Sequence, residues 1–597
     1  MLDVSRKIGV DIHKKGRKHM QELYLLLWSY VIGASMAAWL LCYLATGRDL
    51  RKLGSGNVGA SNLKRVKGCE NLYVPAVVFD AFKGFVAIML ARHYGYGYSF
   101  QALCGFMVIA GHRYPFWLTF QGGKGVATFL GVAAALWWPF ALVALAFFAL
   151  LKKKSGYTSL ASVAAAFLFT AMFAIGIGWG NSGWVWATFA LVLWGHILNL
   201  NLIKLGYEPN SKKGRPCLQY GFVVHPTTDD PTYFKDYFVK KSPRLAFLPY
   251  WFFNSLLAPL LFLIYPAAFV REAMFWNRVD GREDWRKPSQ GLIPPVPIDP
   301  SFMMRHQQFA LWAISRMIRL GAMAGATHAG LGAYTAIVGN RGQVLRDCFH
   351  GRIHITTGND YTAWIGVGSL NLACQKMGKD IKDCVLLVIG TGGVGSVAAM
   401  LAAELLPIRK IILYNRTLQR AAICQQQIHI THPDLDVVVA SDLNEALSEA
   451  DLIISATSSA TELEIDETTL RPGAIVCDIA RPRDFKVSRE DVLVYDGGLV
   501  ECKNANLPSI LGLPEDMSFA CLFQTQALAE AGETKYLGGV GGKYDLLEVL
   551  HIAKICNSRS DGTGALRTGD GGAITDKQIE HIKQAAAKAA CRIRRLS

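Results

Sequence analysis

Two glycine-rich segments of this 597-residue chain have the residue types that hold a phosphate group. The first, Gly54–Asn62, reads GSGNVGASN, and the second, Gln121–Thr128, reads QGGKGVAT. Glycine lets backbone N–H groups converge on an anion, and Lys124 in the second segment would neutralise its charge. Both segments lie at the ends of strongly apolar stretches. The pattern therefore indicates a site for a phosphorylated molecule at a membrane surface.

A third glycine-rich segment, GTGGVG, has a different context. It follows a short apolar strand at Val385–Ile389 and precedes a predicted helix at Ser396–Leu406. This order is typical of a dinucleotide-binding unit, in which the first glycines permit a tight turn and close approach of a pyrophosphate, and the last lets helix and strand pack. The predicted cofactor-binding residues are Gly390, Gly392, Gly393, Val394 and Gly395.

The end of the next predicted strand, Ile411–Tyr414, indicates which dinucleotide binds. It is followed by Asn415, Arg416 and Thr417, and no acid stands there to bond a ribose hydroxyl. An arginine suits a 2′-phosphate, so NADPH is favoured over NADH, although Arg416 taken alone reads as a solvated charge at a helix start. Further strands of the same sheet are predicted at Leu452–Thr457 and Ala474–Asp478.

Composition divides the chain into a membrane half and a soluble half. Hydrophobic residues make up 51% of the chain and are concentrated before about Val270. The net charge of +16 is explained by basic cytoplasmic loops beside anionic lipid, or by docking of an acidic partner. No nucleic-acid-binding motif accompanies the charge, so that class of partner is not expected. The 13 cysteines lack CxxC or Cys/His spacing, which predicts free thiols and no metal site.

Apolar stretches long enough to cross a bilayer predict a polytopic membrane domain. The stretch Gly125–Leu151 has basic residues at both ends and Trp137–Pro139 in its middle, which predicts two shorter helices with both outer ends in the cytoplasm. About seven helical segments result, and the basic N-terminus then lies outside, against the positive-inside tendency. The other predicted stretches are Leu23–Ala45, Leu72–Ala91, Tyr98–Leu118, Tyr157–Gly178 and Trp184–Leu205.

Five motifs in residues 23–210 carry a resemblance to a known family. They are Thr46–Arg65, Phe79–Gly84 (FDAFKG), Gly111–Thr128, Tyr157–Ser162 (YTSLAS) and His196–Pro209 (HILNLNLIKLGYEP). This half resembles the PlsY family of membrane acyltransferases, which transfer an acyl group from acyl phosphate to glycerol-3-phosphate. Because acyl phosphate is already activated, positioning and charge neutralisation carry much of the catalysis and no covalent nucleophile is needed.

The resemblance implies roles for individual residues. The implied catalytic residues are Ser55, Lys124, His196 and Asn199. Residues implied in phosphate binding are Asn57, Arg65, Gly122, Gly123, Gly125, Ser159 and Ser162. Taken alone, Lys124 would read as a snorkelling interfacial lysine and His196 as a satisfied interior histidine.

The last motif departs from the family pattern. Leu202 stands where an arginine is usual, and the neighbours of the histidine are Gly195 and Ile197 instead of basic residues. Lys204 is a candidate to compensate for the missing charge. The departure weakens the expectation of tight binding to a phosphorylated acceptor.

A connector, residues 211–300, follows the membrane half. Within it Ala246–Val270 is apolar but contains Pro249, Pro259 and Pro266. A straight crossing would place the dinucleotide-binding part outside the cytoplasm, away from its cofactor. We therefore predict a broken, re-entrant or surface-lying segment here, which the prolines permit.

Three further motifs indicate the chemistry of the soluble half. They are Leu331–Gly339, Ile355–Trp364 and DGGLVE at Asp496–Glu501, the last followed by Ser518–Glu533. In this order, over roughly residues 318–556, they resemble long-chain acyl-ACP reductases that form fatty aldehydes. The resemblance places the catalytic cysteine on Cys521, implying an acyl-cysteine intermediate and hydride delivery from NADPH. Taken alone, Cys521 would read as a small buried hydrophobe.

The sequence thus predicts a bifunctional, multi-pass protein of the cell (inner) membrane, in which a polytopic α-helical domain is fused to an α/β Rossmann-type reductase. Its expected partners are acyl carrier protein or acyl-CoA, acyl phosphate, glycerol-3-phosphate and the lipid bilayer. Two alternatives are a reductase anchored by an inactive membrane half, and an acyltransferase with a regulatory NADPH-binding domain. The predicted divisions are 1–21 (basic segment), 22–210 (acyltransferase), 211–300 (connector), 301–557 (reductase, with its Rossmann core at 383–500) and 558–597 (linker and basic helix).

Overall fold

The chain forms two compact units, Met1–Pro216 and Cys217–Ser597, in a computed structural model. The two units are described separately. The structure describes residues 2–214, 218–225, 249, 253, 257–266, 270–275, 278–279, 282–283, 289–457, 465–481, 483–485, 489–502, 505–507, 513–514, 516–539, 544–560, 566–568 and 572–594.

The first unit is built of helices whose apolar sequences suit a bilayer. Five segments of the described chain are long and apolar enough to cross a membrane: Gly16–Thr46, Glu70–His93, Val126–Ser155, Thr158–Ile177 and Trp179–Leu205. The predicted count of about seven is not confirmed. The helices are α1 (Leu2–Ala34), α2 (Ala37–Thr46), α3 (Ala60–Leu63), α4 (Tyr73–His93), α5 (Tyr98–Arg113), α6 (Val126–Ser155), α7 (Thr158–Ile177) and α8 (Trp179–Leu205).

The helix α6 is interrupted where the sequence predicts a break. Trp137 has φ −158° and ψ 90°, which is extended backbone inside a helical segment. Pro139 follows two residues later and has no N–H to donate to the preceding turn. The predicted interruption is therefore present at Trp137.

The second unit contains a six-stranded parallel sheet of the doubly wound type. Its strand order is β10-β9-β8-β11-β12-β13, so the chain starts in the middle, builds outward to one edge and then crosses to the other. All five residues of the central strand β8 are buried, as its continuous apolar sequence predicts. The strands are β8 (Val385–Ile389), β9 (Lys410–Tyr414), β10 (Asp436–Ala440), β11 (Leu452–Ser455), β12 (Ile475–Asp478) and β13 (Leu493–Asp496).

A second six-stranded sheet has the order β15-β2-β5-β1-β6-β7. Its centre is β1, which pairs in parallel with both β5 and β6. Three of its strands come from residues 211–300, so part of the predicted connector is built into this sheet. The strands are β1 (Tyr220–Val223), β2 (Arg271–Phe275), β5 (Ser289–Ile293), β6 (His328–Leu331), β7 (His354–Thr356) and β15 (Ala505–Asn506). Two small antiparallel pairs complete the strands, β3 (Arg278–Val279) with β4 (Arg282–Glu283) and β14 (Leu499–Glu501) with β16 (Met517–Phe519).

The helices of the second unit flank these sheets. Twelve of the 25 residues of the predicted membrane-associated segment 246–270 lie outside the described residues. Its described helix, α9, has seven residues, far fewer than the roughly 20 that cross a bilayer. The helices are α9 (Ala258–Ile264), α10 (Pro300–Arg305), α11 (Gln307–Met323), α12 (Val338–Arg341), α13 (Gln343–Phe349), α14 (Asn359–Met377), α15 (Gly393–Leu405), α16 (Leu418–Thr431), α17 (Leu443–Glu449), α18 (Ala520–Ala531), α19 (Leu546–Asn557) and α20 (Asp576–Arg594).

Candidate functional sites

A chain of hydrogen bonds joins four polar side chains of the first unit. The Lys124 ammonium donates to Asn199 Oδ1 at 2.5 Å. The Asn199 amide donates to both carboxylate oxygens of Glu208 at 3.0 Å, and the Ser159 hydroxyl donates to Glu208 Oε1 at 2.8 Å. The structure therefore brings together the loop before α6, the start of α7 and the end of α8, which are far apart in sequence.

The QGGKG loop owes its path to close approaches that only glycine permits. The N–H groups of Gly122 and Gly123 donate to the carbonyls of Arg113 and His112 at 3.1 and 3.0 Å. A Cβ at Gly123 would lie 2.1 Å from His112 Nε2. Gly125 has φ +79°, the left-handed conformation that favours glycine. The glycine N–H groups thereby cap the last carbonyls of α5, and the loop places Lys124 just before α6 begins.

A buried ionic cluster holds His112 in place behind this loop. The Lys83 ammonium donates to Ser35 O at 2.7 Å, lies 2.8 Å from His112 Nδ1 and forms an ion pair of 2.8 Å with Asp80. Lys83 and Asp80 are almost fully buried. Charged side chains are rarely buried to this extent unless they are paired, as these two are. Both belong to the FDAFKG motif, whose function the sequence left unassigned.

The charges around Lys124 suit an anion. Burial lowers the pKa of Lys124 to about 8, Glu208 opposes the shift, and Arg65 and Arg113 act with burial. Burial raises the pKa of Glu208, while Lys124 and the donors Ser159 and Asn199 act in the opposite direction. Three cations therefore face one carboxylate, an excess of positive charge that an incoming phosphate would neutralise.

The GSGN loop is held by an asparagine and borders a cavity. Asn62 Oδ1 accepts from the backbone N–H of Ser55 at 2.7 Å, and its amide donates to Leu53 O at 2.8 Å. A cavity of about 420 Å³ adjoins the loop and is lined by residues that include Gly54 and Arg65. Its basic side chains, Arg48, Arg65 and Lys67, suit an anionic ligand.

Other predicted residues of this site lie nearby with different partners. His196 stands one helical turn before Asn199, and its Nδ1 lies 2.8 Å from Val192 O. The Ser162 hydroxyl donates to Thr158 O at 2.8 Å within its own helix. Asn57 is half-buried beside Gly59. Leu202 is fully buried, so no charge occupies the position where an arginine is usual, and Lys204 is exposed.

Sequence reasoning assigned no role to two residues that the structure places here. Glu208 accepts three hydrogen bonds from the predicted residues Ser159 and Asn199. Arg113 donates to Gly123 O at 3.2 Å and acts electrostatically on Lys124. Both lie inside the quoted motifs, but their proximity to Lys124 depends on helix packing. Arg113 supplies a positive charge near Lys124, whereas the motif His196–Pro209 has Leu202 where an arginine is usual.

The dinucleotide-type loop of the second unit has the geometry that its glycines predict. Gly390 ends β8 with φ +87°, and its N–H donates to Tyr414 O at 2.8 Å. A Cβ at Gly395 would lie 1.9 Å from Gly390 O, so only glycine lets α15 pack this close to β8. At Gly392 a Cβ would meet no atom within 4 Å, so the loop is open there.

The end of β9 contacts this loop. The Asn415 amide donates to Thr391 Oγ1 at 3.0 Å, and Asn415 Oδ1 accepts from the N–H of Thr417 at 3.0 Å. Arg416 is exposed between them and acts electrostatically on Asp484. The predicted cofactor residues of both segments therefore lie together at the carboxyl ends of β8 and β9.

Cys521 lies in the first turn of α18, packed against the loop that follows β7. A Cβ at Gly358, whose φ is +72°, would lie 2.3 Å from Cys521 Cβ. Gln524 accepts from the N–H of Tyr361 at 2.9 Å and donates to Thr356 Oγ1 at 3.1 Å. These bonds fix α18 against residues 356–361.

The same loop reaches the dinucleotide-type loop. A Cβ at Gly393 would lie 2.6 Å from the Asn359 amide nitrogen and 3.1 Å from the Tyr544 hydroxyl. Gly358 and Asn359 are consecutive, so one short loop touches Cys521 on one side and the start of α15 on the other. This arrangement places a thiol beside a region that suits a dinucleotide.

The surroundings of Cys521 have opposing effects on the pKa of its thiol. Burial raises the pKa of the thiol to about 11, whereas the backbone N–H of Leu522 and the Arg481 guanidinium act to lower it. Arg481 is held by an ion pair with Asp496 and lies over the Phe519 ring at 5.5 Å. Asp496, the first residue of the DGGLVE motif, thus holds the guanidinium that acts electrostatically on Cys521.

Together, these features define a polytopic membrane unit with a basic phosphate-type site, followed by an α/β unit of the dinucleotide-binding class. The family described as Glycerol-3-phosphate acyltransferase matches residues 23–206. The glycerol-3-phosphate acyltransferase of Rhodopseudomonas palustris (strain BisB5) is 35% identical over 184 residues, which are 31% of this chain and 92% of that protein. That of Gluconobacter oxydans (strain 621H) is 40% identical over 150 residues, 25% of this chain and 71% of that protein.

Through its first unit, the chain belongs to the glycerol-3-phosphate acyltransferase family. A crystal structure of PlsY, an integral membrane glycerol 3-phosphate acyltransferase in its glycerol 3-phosphate form, is 31% identical, with 32% of this chain and 95% of that chain covered at a TM-score of 0.30. The predicted PlsY-like character of this half is confirmed by the family match and the curated relatives.

The second unit matches a different family. Shikimate / quinate 5-dehydrogenase matches residues 371–496, which include β8 and the GTGGVG loop. Shikimate 5-dehydrogenase from Listeria monocytogenes, crystallised with shikimate and NAD, is 18% identical, with 34% of this chain and 64% of that chain covered at a TM-score of 0.21. The match to this family model confirms the Rossmann-type domain as dehydrogenase-like, and the acyl-ACP reductase resemblance stays a prediction.

Proposed function

We propose that the first unit transfers an acyl group from acyl phosphate to glycerol-3-phosphate at the cytoplasmic face of the inner membrane. The observation that carries this proposal is the Lys124–Asn199–Glu208 chain in a unit of the glycerol-3-phosphate acyltransferase family. Arg65 and Arg113 add positive charge around Lys124. Two phosphorylated substrates need such a surplus of cations, since each brings negative charge to one site.

The reaction needs orientation and charge neutralisation only. A hydroxyl oxygen of glycerol-3-phosphate bonds to the acyl carbon, the bond from that carbon to the phosphate oxygen breaks, and the proton leaves with hydrogen phosphate. Lys124 and Arg113 would hold the departing phosphate, because charge builds on its oxygens as the bond breaks. Ser55 and Arg65, beside the basic cavity, would hold the acceptor phosphate. Asn199 and Glu208 keep the Lys124 side chain in place.

Substitution of Lys124 tests this activity. The Lys124→Ala variant, reconstituted in lipid nanodiscs with acyl phosphate and radiolabelled glycerol-3-phosphate, should lose about 10²- to 10³-fold in kcat/KM, as loss of one charge-stabilising donor does. Lys153→Ala, at the end of α6 and outside the site, is the matched control. Unchanged turnover in Lys124→Ala, or no turnover in the wild type, would contradict the proposal.

We propose that the second unit reduces a long-chain acyl thioester to a fatty aldehyde with NADPH. The supporting observation is the loop that contacts Cys521 through Gly358 and the GTGGVG loop through Asn359. The start of a helix favours a thiolate, and Arg481 adds to this effect. Gly390, Gly393 and Gly395 suit a bound pyrophosphate, and Arg416 suits a 2′-phosphate.

The proposed reaction has two steps. The Cys521 thiolate bonds to the thioester carbon, and the carrier, acyl carrier protein or coenzyme A, leaves as its thiolate. NADPH, when bound, would supply the hydride that displaces the sulfur from the acyl carbon, so that the aldehyde forms and the Cys521 thiolate is restored. The loop at Gly358 and Asn359, which contacts both Cys521 and the GTGGVG loop, would keep the acyl-cysteine close to the dinucleotide.

Substitution of Cys521 tests the reductase. Cys521→Ser in lipid, with NADPH and long-chain acyl-ACP or acyl-CoA, should form no aldehyde detectable by mass spectrometry, because a serine hydroxyl is a poor nucleophile and leaving group here. Cys348→Ser, which changes an exposed thiol, is the control and should retain full activity. Aldehyde formation in Cys521→Ser would refute the acyl-cysteine step.

Two alternatives stay open for the same experiments. The Leu202 position favours a reductase with the membrane unit as an anchor, and loss of acyltransfer in Lys124→Ala would exclude this alternative. The match to a dehydrogenase family is also compatible with an acyltransferase whose second unit binds NADPH for regulation. Loss of aldehyde formation in Cys521→Ser, with NADPH binding intact, would exclude this second alternative.

A further inference from the structure

The second unit exposes apolar side chains on one face of α11. This helix buries Ala313, Ile314 and Met317 against the unit. Its opposite face carries Phe309 and Trp312, which are 44% and 40% exposed. The outer face of a helix on a water-soluble domain is normally polar, so two neighbouring exposed aromatic residues indicate a contact surface.

The exposed apolar surface continues onto α9 and α10. The Phe302 and Phe309 rings are 6.0 Å apart, Phe309 and Trp312 are 5.5 Å apart, and Phe262 of α9 lies 6.4 Å from Trp312. The ring contacts join the exposed Phe302, Phe309 and Trp312, and the buried Phe262 packs α9 beside them. We define the aromatic face as Leu260, Ile264, Phe302, Met304, Phe309 and Trp312, each exposed by at least 38%.

Positive charge surrounds the aromatic face. Pro300–Met323 contains Arg305, Arg316 and Arg319 and no aspartate or glutamate. The Arg316 guanidinium donates to Leu263 O at 2.7 Å and lies 5.8 Å from the Trp312 ring, so it ties α9 to α11. Asp299, just before this range, caps the start of α10. Aromatic side chains flanked mainly by arginines match the boundary between the acyl chains and the anionic headgroups of a bilayer.

We propose that the aromatic face rests on the surface of the membrane that the first unit spans. Phenylalanine and tryptophan would enter the headgroup boundary, and Arg305 and Arg319 would contact anionic phosphates. A lipid surface fits better than a protein partner, because three arginines outnumber the single acid at the helix starts, Asp299, whose carboxylate is engaged in capping α10. The face then holds the second unit close to the bilayer.

Chain length keeps this surface within reach of lipid. The helix α8 ends at Leu205 and β1 begins at Tyr220, so the link can span at most about 50 Å when fully extended. A surface tethered this closely meets the bilayer at a high effective concentration, so weak contacts from a few side chains suffice.

Photo-crosslinking in the full chain tests the proposal. p-Benzoylphenylalanine replaces Phe309 in one variant and Trp312 in another, and each is reconstituted in nanodiscs of phosphatidylcholine with tritiated phosphatidylglycerol. The matched control carries the same residue at Ile430, an apolar position of α16 that is 81% exposed. After irradiation, lipid label on the protein is counted, and thermal unfolding verifies that each variant is folded.

The proposal requires lipid label at positions 309 and 312 at least several-fold above that at 430. It also requires this label to fall when Arg305→Glu and Arg319→Glu are combined. The label should fall likewise in nanodiscs made of phosphatidylcholine alone, with the tritium carried by that lipid. Lipid label at 309 and 312 equal to that at 430 would overturn it. Crosslinks to a second copy, or to another peptide of the same chain, in place of lipid would overturn it as well.

Discussion

At the scale of single residues, the two sites differ in how their reactive groups are held. Lys124 is fixed by Asn199 and Glu208, so its position is set by a hydrogen-bond chain. Cys521 is fixed by backbone packing against Gly358. The first arrangement holds a charge in place while permitting a ligand to compete for it. The second holds the proposed nucleophile, whose neighbours in sequence, Ala520 and Leu522, are apolar.

The lowered pKa of Lys124 predicts a pH dependence. Below about 8 the ammonium is charged and attracts phosphate, and above it the amine is neutral, so the KM for acyl phosphate should rise as pH rises from about 7.5 to about 9.5. Phosphate ionisation is complete across this range, since its second pKa is about 6. Steady-state kinetics in nanodiscs measures the effect. A KM that stays constant to the upper limit would show that Lys124 remains charged there.

Arg416 predicts the choice of dinucleotide. Arg416→Ala should raise the KM for NADPH by about 10- to 100-fold, because a charge-assisted bond to the 2′-phosphate contributes about 1.5–3 kcal/mol. The KM for NADH should not change. Arg420→Ala, one turn further along α16 and also exposed, is the matched control. Equal effects of Arg416→Ala on both cofactors would show that the side chain does not contact that phosphate.

At the scale of elements, the sequence predicts the glycine loops well because their geometry is local. Gly395 packs against the carbonyl of Gly390, only five residues away. The strand, the loop and the helix also follow one another directly in the sequence. Contacts between distant elements are not predictable in this way. Glu208 joins Ser159, and β1 pairs with β6 more than 100 residues later, so Glu208 was missed and three strands were assigned to a connector. The site residues themselves stay predictions.

Gly358 predicts an element-level effect that is specific to the second unit. Gly358→Ala puts a methyl group 2.3 Å from Cys521 Cβ at a φ of +72°, which forces the loop after β7 away from α18 at a cost of about 1–3 kcal/mol or more. Aldehyde formation should be lost while acyltransfer is retained. Gly368→Ala, within α14 where a Cβ meets no atom within 4 Å, should be nearly silent. Full reductase activity in Gly358→Ala would rule out the close approach.

At the scale of the whole molecule, two compact units with separate sites predict two separable activities. Cys521→Ser should leave acyltransfer at the wild-type rate, and Lys124→Ala should leave aldehyde formation at the wild-type rate, because neither residue belongs to the other unit. Both rates are measured on the same nanodisc preparation. A loss of both activities in either variant would show that the sites depend on each other.

The central position of β1 has a consequence for how the chain can be divided and made. This strand follows α8 after a short link, yet its neighbours β5 and β6 are synthesised much later. During translation it must wait, unpaired, until those residues leave the ribosome. A gene fragment that starts at residue 301 would encode a sheet without its middle strand. A division of the gene that keeps every strand of this sheet with its partners therefore falls between Leu205 and Tyr220.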